Sequence, residues 1–574
     1  MTKKLVYILA GMFISFLSIQ AQSVEEIQQL FADDGDIEDY FGSAISISGD
    51  YAIVGASYDD DSGNNAGAAY IFYNNSGTWV QQSKLIASDG ESNDYFGLSL
   101  VISGDFAFIG AFRNGNNLGA VYVFENISET WTETAKLTAS DGMEGDLFGY
   151  SIATEGDYTV ICSYNDDNIG AAYVFQNISG TWTETAKLLA DDVIEGDNFA
   201  HSLSISGDYI IAGAASQDGN DVYTGASYIF YNNAGTWTQT AKVTASDATA
   251  YDYFGNAVSI SGDYVAIGAY SDSPNNILGA GSVYIFYNNA GVWEEQSKLI
   301  ASDAYQYAWF GSSVSISSDN LVVGATGEIF FTPHVEGSAY IFHNNSGTWT
   351  EAAKLLSSDI GTEDEFGYAV YISGDFAIVG GPRNDTNGED VGSAYIYCTS
   401  FPEIITQPIS QEDVTLGTDI TFNIVAEGTN LTYQWRKNEL NLSNGGNING
   451  ATTSELLITS VTAYDIGTYD CKVTGDCGST ISNDALLSII TGVKTLSDNE
   501  FSIFPNPTVG IINFKFATNT IKRIIISNLT GKTILEKTEI KQNEIIDLSN
   551  FKSGIYIISI QTEKEILKTK IIKR

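Results

Sequence analysis

Only three histidines occur in 574 residues, His201, His334 and His343. None stands with a Cys, Ser or carboxylate in a spacing that suggests catalysis. G-x-S-x-G, H-E-x-x-H and phosphate-loop motifs are all missing. His343 replaces a recurrent tyrosine and His201 follows a Phe-Ala pair alone, so both read as local variants. Four cysteines in a chain this long exclude a disulfide scaffold. Cys162 takes a position where sister segments have Gly and reads as a small buried residue; Cys398 has no evident partner. Basic residues are also scarce, 26 against 71 acidic ones, for a formal net charge of −45. From Lys494 onward 13 basic residues meet 8 acidic ones, which leaves 13 against 63 before it. A body that acidic repels nucleic acid and anionic membrane. After residue 21 no apolar run could span a bilayer. The central part of the chain has no sustained 3.6-residue period, which excludes long amphipathic helices there.

What is present begins with a targeting segment. Lys3 and Lys4 precede an apolar stretch, Leu5–Ile19, and Ala21 offers a small residue for cleavage. Residues 1–21 therefore read as a signal peptide for Sec export, leaving Gln22 as the new N-terminus and no membrane anchor in the mature chain.

The stretch FGSAISISGDYAIVGASYDDDSGNNAGAAYIFYNNSGTWVQQSKLIASD (Phe41–Asp89) then recurs six more times. Its Phe returns at Phe96, Phe148, Phe199, Phe254, Phe310 and Phe366, in steps of 55, 52, 51, 55, 56 and 56 residues. Each copy holds four short alternating runs, SAISIS, YAIVGA, AAYIFY and TWVQQSKLIAS, punctuated by Gly, Asn and Asp, which are strand and hairpin signals. A four-stranded meander cannot bury both faces alone. Repeated radially it becomes a propeller blade, and seven copies predict seven blades over residues 24–399. The last copy stops at Cys398 without its Trp strand. Residues 25–33 supply that strand: IQQLFADDGDIEDYFG aligns with QSKLIASDGESNDYFG, Gln29 standing where Lys84 stands. The N-terminal strand is thus expected to close the ring.

These residues resemble the FG-GAP repeat family, in a bacterial form reading FG-x-S-V-x-I-S-G-D, a G-A pair, G-A-x-Y-x-F and G-x-W. Integrin α-subunit propellers share the repeat. Their calcium loop between the first two strands is here replaced by tight turns such as Ser48-Gly49-Asp50, too short for the six to eight oxygens calcium takes. Those sites are not carried over.

The second-to-third and fourth-to-first loops share one face and vary, so that face is expected to carry binding. Its candidates are Asp59, Asp60, Asp61, Arg113, Asp166, Asp167, Asp218, Asp221, Phe330 and Phe331. Asp385-x-Asn387-Gly388-x-Asp390 has the most calcium-like spacing. Asx-turn chemistry accounts for it equally well, and no cofactor is otherwise expected. Three series recur in nearly every copy. The Asp two before Phe (Asp39, Asp94, Asp146, Asp197, Asp252, Asp364; Ala308 in the sixth) is expected to fix a turn. The fourth-strand Trp (Trp79 to Trp349) is expected to pack blade on blade. The fourth-strand Lys (Lys84 to Lys354) is expected to snorkel or pair with acid.

Residues 401–490 resemble an Ig-like domain, with a core Trp435 and a tyrosine-corner pattern, Tyr469 two before Cys471. Ile424 takes the first cysteine's place, so the inter-sheet disulfide is absent; a local Cys471–Cys477 bridge and a pair of buried thiols are both open. Residues 498–574 resemble the type A C-terminal sorting domain of the type IX secretion system. The matching motifs include Pro505-Asn506-Pro507 with Gly510, Gly554 with Tyr556, and the KTKIIKR ending. The resemblance implies export through the Sec and type IX machinery of a Gram-negative bacterium, to the outer cell surface or the medium.

The expectation is an all-β chain: a seven-bladed propeller, an Ig-like sandwich and a small C-terminal sandwich. Its expected role is non-catalytic, binding an extracellular glycan or protein with no nucleic-acid partner. The alternatives are a glycan hydrolase or lyase using loop carboxylates, and a structural surface or matrix component.

Overall fold

The computed structural model describes residues 24–489 and 501–574, apart from 25, 76, 218–221, 328–336, 360, 362, 400–401, 429, 476–477, 517–520 and 563–565. The expected signal peptide lies outside the described residues. The chain divides into two compact units near Pro402. No helix among the described residues exceeds four residues, and none is long and apolar enough to cross a membrane.

The first unit contains seven four-stranded sheets. In the first blade β2 (Phe41–Ser48), β3 (Tyr51–Ala56), β4 (Ala68–Asn75) and β5 (Thr78–Leu85) pair in chain order, all antiparallel. Ser48 pairs with Tyr51, so Gly49-Asp50 forms a two-residue turn, and Gly49 supplies its positive φ of 56°. Both faces of each blade are buried, which is why β4 reads as a continuous apolar run. Ile53 and Ile71 pack on Phe96, Ile102 and Ile109 of the second blade. Val54, Tyr70 and Phe72 pack on Phe376, Ile378 and Ile396 of the seventh. Each such side chain contributes about 1.5–3 kcal/mol when fully buried, and an open ring would expose two faces.

The ring is closed by β1 (Glu26–Leu30), which pairs with Ser393–Cys398 as the outer strand of the seventh blade. Gln29 faces Tyr395 and Leu30 faces Ala394. The tryptophans pack between blades as expected: Trp131 meets Tyr51 edge-on at 5.6 Å and Trp79 meets Phe376 at 5.6 Å. Serines of the inner strands stitch blades around the axis. Ser46 accepts the Ile102 N–H at 3.3 Å and Ser259 the Ile316 N–H at 3.0 Å.

In the Ig-like domain Trp435 is fully buried among Phe422, Ile458 and Tyr469. The Tyr469 hydroxyl donates to the Asp465 carbonyl at 2.6 Å, closing the tyrosine corner. Ile424 packs in this core where a cysteine would otherwise stand. The expected Cys471–Cys477 bridge is not formed: Cys471 is a free, buried thiol facing Trp435, and burial pushes it up to about 12. Cys477 lies outside the described residues. Cys398, for which the sequence offered no partner, is disulfide-bonded. Cys162 is free and fully buried, as expected.

The C-terminal domain packs a three-stranded against a four-stranded sheet through Ile512, Phe514, Ile526 and Ile558. Its motif residues serve this packing. The Asn506 side chain accepts the Ile572 N–H and donates to the Lys570 carbonyl, both at 2.9 Å, clasping the final strand. A side chain at Gly510 would meet the Ser549 hydroxyl at 2.5 Å. The Tyr556 hydroxyl donates to the Lys552 carbonyl at 2.5 Å.

Candidate functional site

Most carboxylates that recur from blade to blade are consumed internally. On the outer strand of each of the first six blades the Lys lies over the neighbouring Tyr ring and pairs with Asp. Lys136 stands 5.0 Å from the Tyr122 centroid and 2.7 Å from Asp89; Lys187, Lys242, Lys298 and Lys354 repeat the pattern. The Lys136 and Lys187 hydrogen bonds hold Asp89 and Asp141 below the usual carboxylate range. The turn series behaves as expected. Asp39 accepts the Asp36 N–H at 2.7 Å and Asp94 the Glu91 N–H at 2.8 Å, and the other four accept in the same way. Burial pushes Asp39 up to about 6.

These networks also contain two expected ligand-face residues. Asp59 is 2% exposed, accepts from the Tyr70 hydroxyl at 2.8 Å and pairs with Lys84 at 2.8 Å. Asp166 is buried and pairs with Lys187 at 2.7 Å. Asp61 is exposed and shares Lys84, Asp60 accepts the Asn65 N–H at 2.6 Å, and Asp167 is exposed with φ 50°. Asp218, Asp221, Phe330 and Phe331 lie outside the described residues. In the calcium-like loop the Asp385 carboxylate accepts the Asp390 N–H at 2.8 Å, and Asp390 accepts from the Tyr40 hydroxyl at 3.2 Å. Asn387 is exposed. Among the described residues no three His, Cys, Asp or Glu side chains converge as a metal site would require.

Arg113 is placed differently. It is exposed, its guanidinium lies 4.9 Å from the Tyr95 ring centroid and 5.4 Å from that of Phe112, and it has no ion pair among the described residues. The rings beneath it belong to a chain of aromatics running from blade to blade on the loop-rich face. Successive centroids from Tyr40 through Tyr58, Tyr95, Phe112 and Tyr150 to Tyr164 are 4.8, 5.1, 5.6, 5.7 and 4.5 Å apart. Such spacings suit edge and tilted contacts. Tyr40 and Tyr95 hold φ near +55°, as does each residue before a repeat's Phe, so the turn into the inner strand pushes that side chain onto the face. Arg383 caps the other end, 5.6 Å from the Tyr40 centroid and 3.3 Å from Glu365.

This rim runs over the first three blades, with Arg383 of the seventh beside Tyr40. The inner strands line two cavities that share Leu100, Ile152, Leu203, Val258 and Val314. The cavity at the Phe-Gly end, about 280 Å³, is lined by Ser43, Tyr150, His201, Asn256, Ser312 and Tyr368. The other, about 380 Å³, holds Glu155, Ser206, Ser317 and Tyr371. His201 lines the first cavity with both ring nitrogens buried from solvent, and burial holds its imidazole below the usual histidine value. Burial pushes Tyr150 up to about 12.

Sequence reasoning set His201 aside and passed over Tyr150, Asn256 and Tyr368. A signal was there. The second residue after the repeat Phe runs Ser43, Leu98, Tyr150, His201, Asn256, Ser312, Tyr368, changing almost every time between near-invariant neighbours. It means something only once that strand is known to be the innermost one.

Residues 24–72, 79–124, 131–175, 182–230, 237–286, 293–342 and 349–397 match the FG-GAP repeat family. Residues 402–474 match the immunoglobulin domain, and 502–574 the secretion system C-terminal sorting domain. The sorting domain directs export to the cell surface or extracellular space and implies the secretion machinery that reads it. No curated protein matches the chain. Solved structures similar to parts of it include titin domain M4, 24% identical over 16% of this chain and 95% of that one, with TM-score 0.15. A Bacteroides uniformis protein provisionally named a 6-phosphogluconolactonase is 16% identical over 59% and 93%, with TM-score 0.40.

Proposed function

The chain belongs to the FG-GAP repeat family, and from that premise we propose a non-catalytic secreted or cell-surface protein whose propeller binds an extracellular glycan or protein on its loop-rich face. One observation carries the reading. The repeated polar residues are spent on holding the ring together, while the residues that differ from blade to blade gather at the channel mouth and its aromatic rim. A rigid ring with a variable face is a scaffold for recognition. The Ig-like domain serves as a spacer or a second module.

A catalytic reading has one observation in its favour. Glu365, on the same face, has its carboxyl raised by burial despite the neighbouring Arg383. That ion pair commits the carboxylate, however, and a glycosidase needs a second acid at a set separation.

The test is a glycan array probed with the purified protein in calcium and again in EDTA, with cell-surface pull-down alongside. Specific binding to a glycan or a surface protein is the expected result. Loss of binding in EDTA would bring calcium, and the Asp385–Asp390 loop, into the site. No binding of either kind together with self-assembly into sheets would replace this reading with a matrix role.

A further inference from the structure

We propose that the cavity at the Phe-Gly end of the propeller, with the Tyr/Arg rim that reaches it at Tyr150, is an end-on binding site for an acidic saccharide, seating a terminal uronic acid residue. This rests on the reading of the propeller as a binding module and names the site and the ligand class.

The cavity has the chemistry of a sugar subsite. Leu100, Val258 and Val370 give it an apolar part. Its wall alternates ring faces with small polar groups. Tyr150 and Tyr368 offer flat apolar surfaces. Ser43 and Asn256 offer donors and acceptors between them. A pyranose has the same division, an apolar C–H face and a girdle of hydroxyls. A volume of about 280 Å³ limits the occupant to about one or two rings.

Charge selects among sugars. The propeller contains two arginines, Arg113 and Arg383, and both stack on rim aromatics. Arg383 is neutralised by Glu365. Arg113 is exposed, unpaired among the described residues, and preorganised by Tyr95 and Phe112. A guanidinium held over aromatic rings is suited to bidentate contact with a carboxylate. The outer-strand lysines, by contrast, are all occupied by aspartates. On a surface with so large a negative charge, the one propeller arginine unpaired among the described residues, linked to the pocket through Phe112 and Tyr150, is the feature that admits an anionic ligand.

The experiment is titration calorimetry of the purified protein with uronate oligosaccharides: tetragalacturonate, tetraguluronate, tetramannuronate, and tetragalacturonate fully methyl-esterified. At least one acidic oligomer is expected to bind, and esterification to weaken a galacturonate interaction by about tenfold or more. Arg113→Gln should weaken binding about ten- to hundredfold, the scale of a charge-assisted hydrogen bond. Tyr368→Ala, at a ring 46% exposed, should weaken it about two- to tenfold. Both variants should keep the wild-type melting curve. Binding of neutral glycans with no response to Arg113→Gln or Tyr368→Ala overturns the inference and leaves the binding-module reading standing. Failure to bind any glycan or surface protein overturns both.

Discussion

The Gln29 side chain donates from Nε2 to Asp359 Oδ2 at 2.7 Å across 330 residues of chain. Gln29 also donates to the Ser393 and Tyr395 hydroxyls at 3.1 and 3.2 Å. In the other six blades a Lys occupies this position over a Tyr ring and pairs with the matching Asp. The closing strand thus repeats the contact with an uncharged donor, and Asp359 is still held below the usual carboxylate range. Burial works against that shift, and the Thr386, Gln29 and Tyr395 hydrogen bonds outweigh it.

The ring should depend on this strand out of proportion to its length. Leu30 is 1% exposed in the core between the first and seventh blades. Leu30→Ala should cost about 2–5 kcal/mol, read from urea unfolding of the propeller transition. Gln29→Lys, which restores the pattern of the other blades, should change stability by less than about 1 kcal/mol.

Acid should act on the propeller in two opposite steps. Asp39 is raised to about 6, so its native state takes up a proton more readily than the unfolded chain, and its contribution to stability grows as pH falls from about 6 toward 3.8. Asp89 and Asp141 are lowered; their contribution is complete above 3.8 and is lost as pH falls below it. Thermal melts from pH 8 to 3 should show the second step as a fall in Tm below pH 4. In Asp39→Asn the Oδ1 still accepts the Asp36 N–H, so the variant should be at least as stable as wild type at pH 8 and lose the rise between pH 6 and 4.

The thiols should divide as the structure places them. Non-reducing peptide mapping after alkylation in denaturant should find Cys398 in a linked peptide, and Cys162 and Cys471 alkylated. Cys471→Ser should leave the linked peptide unchanged. A wild-type map with Cys471 in the linked peptide and Cys398 alkylated would restore the bridge that the spacing of Cys471 and Cys477 suggested.

Export should depend on the clasp in the sorting domain. Asn506→Ala removes both hydrogen bonds to the final strand, at a cost of about 1–3 kcal/mol. Cell fractionation should find the variant retained inside the outer membrane, with a propeller melting transition like that of the wild type. Normal release would show that the motif is not read through the docked strand.

The sequence by itself determined the repeat, the blade count, the closing strand and the order of modules. These follow from local alternation, turn residues and period, and each copy restates them. It also determined the roles of the Asp, Trp and Lys series, because a contact made in nearly every blade leaves its residues at a fixed spacing. Tertiary structure alone decided the candidate site. Tyr150, His201, Asn256 and Tyr368 stand about fifty or more residues apart and meet only where the inner strands converge on the axis. Asp59 and Asp166 look like free loop acids in the sequence and are buried ion-pair partners in the fold, because each lies beside a Lys some twenty residues further along the chain. Cys471 shows the same limit. Its near neighbour Cys477 suggested a bridge, while packing against Trp435 holds it in the Ig-like core as a free thiol.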